Sequence, residues 1–250
     1  MLLTQSYRLL FILLSLVISS EAQSQETHCK ELLKSSYFKQ NGTLEYIERL
    51  PTPNHQHNPI VIALHGLGHH KEGFAQLAQK LPKSWRIFFV DATFEYNRGH
   101  AWYRFRCPQA ESDLKLSMQA LEKTVQQILR AYPKAPKPAL FGFSQGGVMT
   151  MAMINDYPNI WSSAADFSGY WLSRTPPKKQ PSTLNIPLLI VHGEQDRVVS
   201  FNRGLEAARL MGEAGMIISW LPFAGGHHIP RIGLEQLKEH FEVSWKEIRK

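Results

Sequence analysis

From residue 43 onward, short apolar runs alternate with segments whose apolar residues recur every three or four positions. Residues 43–48 alternate as an edge strand does, and 59–64 form a continuous apolar run of strand length. Residues 71–81 have helical spacing, and 86–90 read as a buried strand ending at Asp91. Residues 92–109 are irregular and rich in aromatics, the profile of a long functional loop. The strongest helix is 111–132, where Leu114, Met118, Leu121, Val125, Ile128, Leu129 and Tyr132 share one face before Pro133 ends it. A strand at 139–142, a helix at 145–157 and a strand at 163–167 follow, then a polar, proline-bearing loop over 168–185. The chain continues with a strand at 187–191, a helix at 201–215, a strand at 216–221 and a closing helix at 234–249. Strands and helices in alternation predict an α/β fold, a mostly parallel twisted sheet with helices on both faces. Ligands of such sheets bind beyond the carboxyl ends of the strands, so chemistry is expected in the loops that follow them.

The segment before this pattern differs. One positive charge precedes the apolar run 9–17, and Ser20-Glu21-Ala22 sets small residues where a signal peptidase reads. We therefore expect residues 1–22 to be a cleaved secretory signal, 23–42 an N-terminal segment and 43–250 one α/β domain. The expected location is secreted or periplasmic. Export permits a disulfide between Cys29 and Cys107, the two cysteines of the chain, and a bridge between them is expected. Neither belongs to a pair with metal-finger spacing. With 43% hydrophobic residues there is ample apolar material for a core, which excludes a disordered chain. The net charge of +7 is scattered. It suits weak peripheral attraction to anionic lipid, and without an accompanying motif it does not point to nucleic acid.

Gly142-Phe143-Ser144-Gln145-Gly146-Gly147 follows a predicted strand and opens a predicted helix. A serine on so sharp a turn is presented at its tip, beside helix amides that favour developing negative charge, and the glycines let neighbouring backbone approach. Such a hydroxyl needs a base, and the base needs an orienting acid. His192-Gly193-Glu194-Gln195-Asp196 puts carboxylates past the 187–191 strand; Asp196 is the expected partner and Glu194 its competitor. Past the 216–221 strand, Gly225-Gly226-His227-His228 supplies adjacent imidazoles, of which His227 is the expected base. A metal held by the histidine pair would lack a third ligand at useful spacing, so no metal is expected. The order Ser, Asp, His is that of α/β-hydrolases. The oxyanion amides of such a site come from the residue after the serine, Gln145, and from the loop after an earlier strand, where His65-Gly66-Leu67-Gly68 nominates Leu67.

Leu64-His65-Gly66-Leu67-Gly68, the Ser144 motif, His192–Val199 and Gly226-His227-His228-Ile229-Pro230 together resemble the phospholipase/carboxylesterase family of α/β-hydrolases, which includes lysophospholipases and acyl-protein thioesterases. The resemblance spans nearly all of 43–249. It implies Ser144, Asp196 and His227 as a triad, Leu67 and Gln145 as oxyanion donors, no metal and no organic cofactor, and an ester or lipid as small-molecule substrate. It also likens Trp102, with Tyr103, to an aromatic loop beside the acyl site. Phe105 and Trp171 are further candidates for an open groove with little or no lid. The competing functions are a non-catalytic binding module on this scaffold and an exported polymer or aromatic-ester esterase.

Overall fold

The computed structural model describes Cys29 and residues 42–181 and 184–248. The expected signal segment, almost all of 23–42 and the last two residues lie outside this range. Seven strands form one sheet in the order β1-β3-β2-β6-β7-β8-β9: β1 (Tyr46–Arg49), β2 (Ile60–Leu64), β3 (Arg86–Val90), β6 (Ala139–Phe143), β7 (Ser163–Phe167), β8 (Pro187–Gly193) and β9 (Ile217–Phe223). Only β1 runs antiparallel to its neighbour. The central strands are buried on both faces, which is why they read as unbroken apolar runs.

Helices cover both faces. On one, α2 (Ala110–Ala131), α3 (Gln145–Asp156) and α4 (Phe201–Glu213) pack with Leu44, Ile62, Phe88, Leu140 and Ile190 into one core. On the other, α1 (Lys71–Phe74), the 3-10 turn Ala75–Lys80 and α5 (Arg231–Ile248) enclose Val61, Phe89, Phe141, Phe167 and Phe241. α2 buries the stripe expected of it. α3 is buried along almost its whole length, as a helix wedged between sheet and α2 must be. Among the described residues no helix is long and apolar enough to cross a membrane.

Chain order reverses between β2 and β6: β2 leads outward to β3 and β1, and β6 leads the other way to β9. The loops leaving these two adjacent strands therefore diverge and open a crevice at the carboxyl rim of the sheet.

Two expectations need correction. Residues 92–109 are not all loop: β4 (Phe94–Tyr96) and β5 (Gly99–Ala101) pair antiparallel around Asn97, whose φ is 55°. Strands of three residues are too short to register as alternation. The helix expected at 71–81 keeps α-geometry for four residues and then tightens to the 3-10 turn. The Cys29–Cys107 disulfide is formed, with Cα atoms 5.8 Å apart, and fastens the N-terminal segment to the chain leading into α2.

Candidate active site

Ser144 occupies the turn from β6 into α3 with φ 56° and ψ −115°, a left-handed backbone that a non-glycine residue adopts only under constraint. The constraint is close packing. A Cβ on Gly142 would lie 2.1 Å from the Gly146 carbonyl oxygen, and one on Gly146 would lie 2.2 Å from that of Leu64. No side chain fits at either place. The first helical hydrogen bond is Val148 N to Ser144 O, so the amides of Gln145, Gly146 and Gly147 have no acceptor within the helix.

The structure brings the three predicted polar groups into one chain of hydrogen bonds. Ser144 Oγ is 3.0 Å from His227 Nε2, and His227 Nδ1 is 2.7 Å from Asp196 Oδ2. Asp196 is buried. Burial by itself would raise its pKa, but the bond from His227 and those from the amides of Val199 and Val198 to Oδ1 outweigh it and hold the carboxyl below the usual range. Of the competing residues, Glu194 is exposed and His228 turns its ring to the edge of Phe223. The loop carrying Asp196 is tied at its far end: the buried His192 ring donates from Nε2 to Val199 O at 2.9 Å. That ring lies where a side chain on Gly204 would project, 2.2 Å from the Cβ position.

The Leu67 loop is held from behind. His65 is buried; its Nε2 accepts from Ala92 N at 3.1 Å while Nδ1–H donates to Gly66 O at 2.7 Å. Burial pushes its pKa down to about 4, so the ring is neutral at pH 7. The β4–β5 hairpin then clasps the loop through Gly68 N to His100 O and His100 N to His69 O, at 2.9 and 2.8 Å. Trp102 belongs to this clasp. It is fully buried and does not line the cavity, contrary to the acyl-site role expected of it. Its indole donates to His65 O at 2.9 Å, and its amide donates to Gln145 Oε1 at 3.0 Å. Gln145 Nε2 in turn donates to Tyr103 O, so the Gln145 side chain and the Trp102 indole together tie the Ser144 turn to the loop that carries Leu67.

A cavity of about 790 Å³ opens above Ser144 and His227 and is bordered by Gly66, Leu67 and Gln145. It straddles the rim of the sheet. Phe74, Leu77, Phe143 and Ile229 form one wall, continuous with the α1 and α5 core. Tyr103, Tyr170 and Val199 stand on the other and belong to the opposite core. The two tyrosine hydroxyls are 2.8 Å apart. Phe105 borders this cavity, whereas Trp171 lies in a separate groove. Nothing in the sequence marks Phe143, Tyr170 and Ile229 as cavity wall, because ordinary core residues look the same there.

Residues 46–245 match the model of the Phospholipase/Carboxylesterase family. The chain belongs to this family. Among relatives of the phospholipase/carboxylesterase chain, acyl-protein thioesterase 1 of Gibberella zeae is 25% identical over 198 residues, 69% of this chain and 84% of that one. A probable carboxylesterase of Oryza sativa subsp. japonica is 34% identical over 111 residues, 41% of each chain. The chain spans about half the length of several curated relatives that it matches. The same fold occurs in the crystal structure of the Bacillus cereus carboxylesterase, with TM-score 0.71, 18% identity and coverage of 83% of this chain and 98% of that one. Zea mays acyl-protein thioesterase 2 shares it as well, at TM-score 0.64 and 19% identity, over 80% of this chain and 99% of that one.

One further cluster, His65, Asp91 and His100, groups three potential metal ligands. It is already occupied by protein groups. Lys71 Nζ sits 2.6 Å from Asp91 Oδ2 and its amide 2.7 Å from Oδ1, while both His65 nitrogens are engaged. A cation there would have to displace an ammonium.

Proposed function

We propose that the protein is a serine hydrolase that cleaves carboxylic ester or thioester bonds of small amphiphilic substrates through an acyl-enzyme. The observation that carries this reading is the Asp196–His227–Ser144 chain of hydrogen bonds at the floor of a largely apolar cavity. As Ser144 Oγ attacks the carbonyl carbon, His227 Nε2 takes its proton, and the Asp196 carboxylate stabilises the resulting imidazolium and fixes its tautomer. Charge moves to the carbonyl oxygen, where the amides of Leu67 and Gln145 receive it; donors of this kind contribute roughly 2.7–4 kcal/mol each. The tetrahedral intermediate collapses by breaking the bond to the alcohol or thiol, which leaves with the proton from His227. Water, deprotonated by His227, then attacks the acyl-serine, and a second collapse releases the carboxylic acid and restores Ser144.

The family relationship supports the same reaction class: a thioesterase and a probable carboxylesterase are among the relatives. Action outside the reducing cytosol is part of the proposal, supported by the Cys29–Cys107 bond. The test is Ser144→Ala. The purified variant is expected to lose turnover of p-nitrophenyl esters and labelling by a fluorophosphonate while melting as the wild type does. Retained turnover would remove Ser144 from the mechanism, and an unlabelled wild type would favour a binding module.

A further inference from the structure

The cavity has a charge pattern that ester hydrolysis does not call for. Among the described residues no carboxylate lines it, and the two permanently charged side chains that do, Lys80 and Arg203, are both cationic and lie on opposite walls. Arg203 is the more constrained. Its guanidinium carbon lies 3.4 Å from the centroid of the Tyr170 ring, which holds it over the aromatic face beside the Tyr103–Tyr170 hydroxyl pair. Among the described residues no carboxylate forms an ion pair with it. Glu206, one turn along α4, is engaged by Arg209, which Glu213 also clasps. Arg203 further stands in the first turn of α4, where the helix dipole disfavours a cation. Helix stability alone selects the opposite sign at this position. What gains from the arrangement is an anion at the cavity mouth, which would meet a planar donor fork and the positive end of a helix together.

Resting on the hydrolase reading, we propose that Arg203 is a specificity determinant that binds a carboxylate or phosphate group of the substrate. The Tyr103–Tyr170 wall carries the anionic end, and the Phe74, Leu77, Phe143 and Ile229 wall takes the apolar chain. The substrate class is thus an amphiphilic ester with an anion on one side of the scissile bond.

Two matched pairs locate that anion. p-Nitrophenyl hemiglutarate against p-nitrophenyl butyrate puts it on the acyl side; 1-decanoylglycerol 3-phosphate against 1-decanoylglycerol puts it on the leaving-group side. In at least one pair the ratio of kcat/KM, anionic over neutral, is expected to exceed one and to fall about tenfold in Arg203→Gln, mainly through KM. It should be partly kept in Arg203→Lys and decline as salt is added. Arg209→Gln, which removes a cation elsewhere on α4, is expected to leave the ratio unchanged. A ratio equal in wild type and Arg203→Gln, or lowered as much by Arg209→Gln, overturns the proposal. Calorimetric binding of decyl phosphate in the Ser144→Ala background separates this inference from the hydrolase reading. Binding about tenfold weaker in Ser144→Ala/Arg203→Gln, with no wild-type turnover of any ester, would sink the hydrolase and keep the anion site. Turnover of the neutral esters with equal decyl phosphate binding would do the reverse.

Discussion

Asp166 offers the sharpest quantitative test of how the Ser144 turn is built. It lies on β7 directly across from Gly142, fully buried, where Oδ1 accepts from Gly169 N at 2.9 Å. Among the described residues Oδ2 has no hydrogen-bond partner. A Cβ on Gly147 would come within 1.8 Å of Oδ1, and one on Gly169 within 2.3 Å, so the carboxyl fills the gap between the start of α3 and the loop after β7. Burial pushes its pKa up from 3.8 to about 8, against the opposing pull of the Gly169 bond. The folded protein therefore holds the proton where the unfolded chain has released it. Stability from this group is fully present below pH 3.8 and is lost as pH rises towards 8. At about 1.4 kcal/mol per pH unit, the loss by pH 7 is on the order of 4 kcal/mol. Asp166→Asn keeps the shape and the Gly169 bond but cannot ionise. Urea unfolding from pH 5 to 9 should show the variant gaining on the wild type by several kcal/mol as pH rises, with similar m values. Because other titrating groups are common to both proteins, the difference isolates Asp166. Parallel profiles would refute the reasoning, for they would mean that the carboxyl finds water or a partner on ionising.

Asp196→Asn should leave the melting temperature within a few degrees but lower kcat on p-nitrophenyl esters by about 10⁴-fold, as in other triads where the wrong imidazole tautomer is stabilised. A loss under tenfold would deny Asp196 its orienting role. Lys71→Met should cost about 3 kcal/mol in urea unfolding at pH 7, because it strips an ammonium from the buried Asp91. Burial would raise the Asp91 pKa, but His100 and Lys71 together hold it well below the usual range. The penalty should therefore shrink as the solution is taken below the ordinary aspartate range; a constant penalty would point to lost packing instead.

Most of the sheet was legible because its central strands are buried on both faces and read as plain apolar runs. Ser144, Asp196 and His227 were legible because each lies at the end of such a run, in a loop whose composition is itself a signal. What escaped has physical causes. The β4–β5 hairpin is too short for a period, and Trp102 carries the same letter whether it faces ligand or backbone. Asp166 did leave a trace, one acid inside the run 163–167, but sequence alone does not tell a surface carboxylate from a buried one. Tyr170 lies in the loop after β7 and Arg203 in the first turn of α4, so their stacking depends on where β7 and β8 end.

The cavity draws its two walls from cores on opposite faces of the sheet, with the Ser144 turn as the seam between them. Substitutions that resize the phenylalanine side propagate into one hydrophobic layer, and those that recharge the tyrosine side into the other. Under the proposed function the halves can thus drift independently: a lineage could exchange the tail it accepts without relearning the headgroup, and the Ser144 oxygen need not move for either.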